Sequence, residues 1–341
     1  MSKKFTKTIT SLLVALTMLI SFNLSFASSF ETDLEKAKNN MLNMGLSQEC
    51  IDDMLESDIL QYLTAKVAFK TEEYYRVDST INVDPETKKE KIVSSNKVKI
   101  GKDEAIRGAA EENEKSKQKY INKLLESPSG EGIVRAAGFG NSYNSSQPYV
   151  VSAYLKFEIW ATYLSGNTYQ VSTRFEWLSY PSEQYVEDLL ALSIDTKATK
   201  IQNTGYFVAS YDEYTCYSNG TQVKTSTGKQ IKYSTTPTKS EVTGSGYTYT
   251  IPPKINPGSS QYWYEKRALR GYMNYNIFVP STAPASYGVL ASYGHEKVNM
   301  TWMPAYFSVS FPAGISFTPS QPSGFASNVT TTSLYTNFYV N

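Results

Sequence analysis

The stretch from Tyr149 to Leu178, YVVSAYLKFEIWATYLSGNTYQVSTRFEWL, decides the fold. Two runs of alternating apolar and polar residues flank Ser165-Gly166-Asn167, the pattern of a β-hairpin. A three-residue loop sets Lys156 opposite Glu176 and Glu158 opposite Arg174 on one face. On the other face it sets Leu155 against Trp177, Phe157 against Phe175, Ile159 against Thr173 and Tyr163 against Tyr169. Such cross-strand pairs contribute roughly 0.2–1 kcal/mol each. A two-residue loop would oppose Glu158 to Phe175 and mix the faces, so the odd loop is expected. The two ion pairs are read as solvated.

Downstream, Gly205–Tyr217 and Thr221–Tyr233 flank Asn219-Gly220, a two-residue hairpin signal that would set Cys216 opposite Val223. Gly244-Ser245-Gly246, Ile251-Pro252-Pro253 and Asn256-Pro257-Gly258 mark turns. Tyr272–Val279, Val298–Met303, Tyr306–Phe311, Ile315–Phe317 and Leu334–Val340 read as further short strands. Closely spaced strands with Gly/Pro turns and no intervening helices predict an all-β domain over 149–341.

Upstream, the character is helical. Leu34, Ala37 and Met41 recur at helical spacing, Gly45 can close that helix, and Ser47 can cap a second one carrying Ile51, Met54 and Leu55. Ser57 could open a third through Ile59, Leu60 and Leu63. This predicts a small helical module over 28–70. Residues 71–130 read as short strands, with a turn at Asp84-Pro85, and a charged, solvated helix of thin apolar face at Ile106, Ala109, Ala110, Ile121, Leu124 and Leu125. Residues 131–148 form a Gly/Ser-rich linker. The expected class is α+β: a small helical N-terminal module followed by a mainly antiparallel β-sandwich or barrel-like domain.

Lys3, Lys4 and Lys7 precede an apolar run from Ile9 to Ile20, and Ser25-Phe26-Ala27 fits a signal-peptide cleavage site. Residues 1–27 are therefore expected to be removed after Ala27, giving a secreted chain, extracellular or loosely wall-associated, with no transmembrane span in its mature form. Losing those lysines leaves 30 basic against 32 acidic residues, which gives no concentrated positive charge for nucleic acid. The two cysteines, Cys50 and Cys216, are the sole disulfide candidates in an exported chain.

One histidine, His295, is too few for multi-histidine metal sites. It could serve as the base of a Ser-His-Asp triad or pair with Cys216, but no GxSxG elbow occurs and a thiol on a regular strand reads as structural. Glu158 and Glu176 invite a glycosidase reading, which their opposite-charge partners explain more simply. No GxxxxGK[ST] or GxGxxG run occurs, and no cofactor is expected. Tyrosine is the outlier, with 27 copies. The clusters Tyr206–Tyr217, Tyr262-Trp263-Tyr264 and Tyr272–Tyr275 supply the candidate ligand-binding residues Tyr262, Trp263, Tyr264, Tyr272 and Tyr275, since exposed rings on a rigid sheet can stack on sugar faces. The alternating runs Tyr306–Phe311 and Val329–Val340 share a pattern with strands of membrane-inserting β proteins.

The run LSGNTYQVSTRFEWL, the turn Gly45-Leu46-Ser47 after a short helix, and the tail YFSVSFPAGISF together resemble a group of uncharacterised exported proteins of Gram-positive bacteria. The resemblance implies export and the hairpin; it brings no site residues. The functional expectation is a non-catalytic extracellular or wall-associated binding or structural protein. Its partner would be a cell-wall glycan or another extracellular protein. The alternative is a wall-polymer hydrolase using carboxylates.

Overall fold

The computed structural model describes residues 30–83, 90–126, 148–181, 186–259, 261–280, 286–296, 307–317 and 329–339. The expected signal peptide at 1–27, the Asp84-Pro85 turn, linker residues 131–147 and the expected strand Val298–Met303 lie outside the described residues. The chain divides into two compact units at Lys66/Val67.

In the first unit, helix α1 spans 30–43 and buries Leu34, Ala37 and Met41. Gly45 adopts φ +81, and Leu46 N donates to Met41 O at 3.1 Å, a left-handed helix stop that glycine tolerates without a Cβ clash. Ser47 Oγ then accepts from Cys50 N and caps α2 (Gln48–Asp52). The third helix departs from expectation. Leu55, not Ser57, precedes α3 (Glu56–Ile59), and a 3₁₀ turn (Leu60–Leu63) follows it. Leu55 and Leu63 are exposed, whereas Ile59 and Tyr62 are buried. Asn40 Nδ2 donates to Tyr62 O and Ala65 O, holding this end of the unit against α1.

The second unit begins with β1 (Lys66–Val83), β2 (Glu90–Ile100) and helix α4 (Lys102–Glu126). The central hairpin supplies β3 (Tyr149–Ser165) and β4 (Thr168–Trp177), followed by β5 (Glu187–Ile194) and β6 (Thr199–Lys200). Next come β7 (Tyr206–Tyr217), β8 (Gln222–Ser234), β9 (Lys239–Ser240), β10 (Gly244–Thr250), β11 (Ile255–Ser259) and β12 (Tyr262–Phe278). The last strands are β13 (Ser286–Glu296), β14 (Phe307–Ser310), β15 (Gly314–Phe317) and β16 (Val329–Tyr339). A large sheet runs β2-β1-β3-β4-β12-β7-β8, with β11 and β6 also on β12. A second sheet runs β16-β13-β5-β10-β9, and β14–β15 form a separate hairpin. Among the described residues the pairings of defined register are antiparallel, and neither sheet closes on itself, which corrects the barrel-like alternative.

The segment set apart in sequence as 71–130 contributes β1, β2 and α4 to this same unit. Helix α4 does not lie free in solvent. Its Ala105 and Ala109 pack against Tyr74 and Tyr154, whereas Ile106 is exposed. Small residues form the buried stripe in this part of the helix, and Ile121 farther along packs into a separate cluster with Trp263 and Cys216.

The central hairpin has the anticipated pairing from Leu155–Trp177 to Tyr163–Tyr169. Its loop differs. Gly166 and Asn167 make a two-residue turn closed by Ser165–Thr168, and the odd residue is a bulge at Leu164. The charged face also differs, because Glu158 and Arg174 are buried rather than solvated. Arg174 Nη1 donates to Glu158 Oε2 at 3.3 Å and Glu176 Oε2 at 2.8 Å, and Lys156 and Lys70 approach Glu158 Oε1.

The two sheets face each other across one apolar core, with Leu155, Phe157, Phe175, Trp177, Phe207 and Met273 from the large sheet meeting Leu190, Leu192, Tyr247, Tyr249, Val289 and Tyr293 from the second. Phe175 stacks on Tyr293 at 4.5 Å and on Tyr249 at 5.6 Å. The far face of the second sheet holds β14–β15 through Leu189, Ala191, Phe307 and Val309. Gly244-Ser245-Gly246, expected as a turn, begins strand β10. Its glycines let Val309 approach closely, and a Cβ on Gly244 would stand 2.8 Å from Val309 Cγ1.

Gly271, between Phe175 and Ala209 in register, leaves room for the Phe175 ring, which a Cβ there would meet at 2.4 Å. Gly271→Ala is expected to lower folding stability by about 1–3 kcal/mol through this overpacking. Denaturant unfolding measures it, and an unchanged midpoint would contradict the packing described.

Candidate functional site

The sequence-derived tyrosines are sorted by a single irregularity in β12. Between Arg267 and Arg270 its register against β7 slips, and Ala268 holds φ +49, a left-handed value uncommon for a residue with a Cβ. Before the bulge, the odd residues Trp263, Glu265 and Arg267 share a face with Cys216, Tyr214 and Asp212 of β7. After it, the even residues Arg270, Tyr272 and Asn274 share that face with Ser210, Val208 and Tyr206. The five candidates therefore do not gather. Trp263 and Tyr272 point to one side of the sheet and Tyr262, Tyr264 and Tyr275 to the other, where Tyr275, farther along the strand, is buried in the core between the sheets and its hydroxyl donates to Leu192 O at 3.0 Å.

Trp263 is 2% exposed and belongs to a small cluster with Cys216, Ile255 and Ile121 of α4. It is a structural anchor rather than a contact surface. Tyr272 is fully buried, stacks with Trp160 at 5.8 Å and accepts from Asn274 Nδ2 at 2.9 Å.

Tyr262 and Tyr264 remain part-exposed, and the strand register brings a third ring to them. Tyr217 of β7 pairs with Tyr262, their rings 6.2 Å apart, and Tyr262 meets Tyr264 edge-on at 5.6 Å. Tyr217 is 38% exposed, and Val223 of β8, beside Thr215, is 48% exposed. The hairpin register matters here. Asn219-Gly220 was expected to close a two-residue loop with Cys216 opposite Val223. Tyr217 N instead donates to Thr221 O and Gly220 takes φ +87, which lengthens the loop to Ser218-Asn219-Gly220 and sets Cys216 opposite Gln222. That one-residue slip puts Val223 opposite Thr215 on the tyrosine face instead of opposite the buried thiol.

The result is a two-sided blade. Its back packs Trp263, Cys216 and Ile255 on Ile121 of α4 beside the ion pair that buried Glu265 makes with Arg267; its front presents three phenol rings, a valine, Asn256 of β11 opposite Tyr264, and the Glu213–Lys229 ion pair at 3.1 Å. The Tyr262 hydroxyl raises the pKa of Tyr264, so that phenol stays neutral at physiological pH. Such a surface can stack on a flat ligand and exchange hydrogen bonds with it; it holds no activated nucleophile.

Polar clusters elsewhere are tied to their own neighbours. Burial would raise Glu158, but Arg174, Lys156 and Lys70 reverse that and hold its carboxyl below the usual range, the wrong direction for a general acid. Burial pushes the Cys216 thiol up to about 12, with Glu265 adding to it. His295 is not its partner: Nδ1 lies 3.0 Å from Asp188 Oδ1 in the second sheet. Cys50 is buried in the first unit and Cys216 in the second. Among the described residues no group of three or more His, Cys, Asp or Glu is placed to hold a metal ion, and no helix is long and apolar enough to cross a membrane.

No family model matches the chain, and no curated protein matches it. Among solved structures, the collagen-binding domain of the Erysipelothrix rhusiopathiae surface protein RspB aligns at 7% identity with a TM-score of 0.20, over 55% of this chain and 65% of that domain. This chain thus spans less than two thirds of it. A structure described as a pore-forming protein aligns at 9% identity with a TM-score of 0.20, over 55% of this chain and 85% of its own. Superpositions this loose carry no argument about fold or function.

The buried carboxylates behind the blade make its stability acid-sensitive. Burial alone would raise Glu265, but Lys254 and Arg267 hold it low; burial would likewise raise Asp212, but its bonds from Lys224, Gly228 N and Arg270 hold it low. Carboxyls lowered on folding contribute stability that is present above the unfolded value near ~4.3 and is lost as pH falls through the folded values. Glu265→Gln is therefore expected to melt below the parent at pH 7, with the gap narrowing below about pH 4. Thermal melts across that range check it, and a pH-independent gap would contradict the assignment.

Proposed function

We propose that this chain is a secreted, wall-associated binding protein built as a two-sheet sandwich, and that its ligand surface is the face carrying Tyr217, Tyr262 and Tyr264. The observation behind this reading is the contrast between the two sides of one strand segment. Trp263 and Cys216 are fully covered, while the adjacent tyrosines face outward with Val223 among them. A sheet face turned to water is ordinarily polar, and a cluster of large rings left there on a braced backbone fits ligand contact. Flat ring faces flanked by hydroxyl and amide groups suit a glycan of the cell wall, whose sugars offer apolar faces and edge hydroxyls.

The hydrolase alternative loses its candidate pair, since Glu158 and Glu176 are bridged by one buried arginine. The lysines at 3, 4 and 7 followed by the apolar run Ile9–Ile20 support export, and the small helical module gives no separate functional signal.

Co-sedimentation of the mature chain with purified Gram-positive cell walls tests the proposal. Replacing both Tyr262 and Tyr264 by alanine is expected to weaken pelleting by roughly tenfold or more, each lost ring contact being worth about 1 kcal/mol. The melting temperature should stay nearly constant, because neither ring is core. Trp263→Ala, in contrast, is expected to unfold the blade. Undiminished pelleting by the double variant would sink the assignment.

A further inference from the structure

An open sheet leaves main-chain donors and acceptors unpaired along its outermost strands, and proteins guard such edges with charge, proline, bulges or short length. Among the described residues the two sheets end in four edge strands, three of which are guarded. β8 carries Lys224, Lys229 and Lys232 and slips register three times against β7. β2 carries Lys97 and Lys99 and has a slip opposite Thr80/Ile81. β9 is two residues long.

The fourth edge, β16, has none of these. Its sequence VTTTSLYTNFY contains no charged residue, no proline and no glycine, and all eleven residues pair with β13 without a slip. β-branched and aromatic residues dominate it, the composition that favours strand pairing. Lys97 Nζ donates to Thr331 O at 2.5 Å, so one lysine covers the start of the strand, and among the described residues no strand pairs with the outer side of Ser333–Tyr339. On the outward face Tyr335 is 50% and Tyr339 67% exposed; on the inward face Leu334 and Phe338 are buried in the core.

We infer that the β16 edge is an interaction surface for a second copy of this chain, joined antiparallel about a two-fold axis at Thr336. In that register Tyr335 faces the partner copy's Asn337, Leu334 faces its Phe338, and Ser333 faces its Tyr339. Each face meets its own kind, so two five-stranded sheets fuse into one with matched cores. The occupant is a like strand because an uncharged edge neither repels its copy nor selects a charged stranger. The contact is independent of the tyrosine blade, which lies on the other sheet. Two copies would display two blades, raising avidity for a repeating polymer.

Sedimentation velocity of the mature chain from about 5 to about 500 μM tests this, a range suited to a small, transient interface. The mass is expected to rise toward that of a dimer, with amide exchange of Ser333–Tyr339 slowing as concentration increases and exchange in β8 unaltered. Asn337→Lys, a solvent-facing change that leaves the core intact, should shift association to at least roughly tenfold higher concentration. A monomer throughout, a dimer indifferent to Asn337→Lys, or protection at another edge instead of β16 would each overturn the inference.

Discussion

One buried carboxylate sets the register of the second sheet and locks it to the first. Asp188 of β5 has no exposure to solvent, and its oxygens accept from the hydroxyls of Tyr249 and Tyr293 and from Glu296 N, with His295 Nδ1 at 3.0 Å. Those partners come from β10 and β13, the strands on either side of β5. Trp177 Nε1, from the large sheet, donates to Tyr293 Oη at 2.9 Å and carries the network across the core. A carboxylate removed from water without its donors costs several kcal/mol, so any slip of β10 or β13 that dispersed these groups would be strongly disfavoured. Phe175, stacked on Tyr293 and Tyr249, then fixes β4, and β12 and β7 follow by pairing. The tyrosine face stands at the end of that chain of constraints.

The blade separates two tasks that a single sheet face could not perform together. Its back needs apolar closure, which Trp263, Cys216, Ile255 and Ile121 provide. Its front can then keep rings in water without loss of order, because their backbone is already fixed. The left-handed Ala268 is the pivot. It lets β12 present Trp263 and Tyr272 to the same side although their numbers differ by an odd interval. Backbone strain tolerated there maintains a continuous covered face along a 17-residue strand.

The central hairpin was legible because its alternation admits one register and its charges pair across it. What covers that charged face was not legible: Lys70 arrives from β1, some ninety residues upstream of Glu158, and alternation says nothing about such distant cover. The glycines of β10 misled for a related reason. Gly-Ser-Gly is a turn signal locally, and only the approach of Val309 explains why a strand needs those gaps. At the site, Tyr262 and Tyr264 were legible as an aromatic cluster. Tyr217 belonged to a different cluster and joins them only through the β7–β12 register, and no local signal marks the bulge at Ala268 that moves Tyr272 to the face of Trp263. The Asn219-Gly220 motif announced a hairpin but not the extra loop residue that decides which side Val223 occupies.

The most direct test of the account is a tyrosine-selective NMR titration of the mature chain with soluble cell-wall glycan fragments. The account predicts that ring resonances of Tyr217, Tyr262 and Tyr264 shift together and saturably, while those of Tyr272 and Tyr275 stay in place. Shifts at the buried rings alone, or none at the three outward ones, would contradict it.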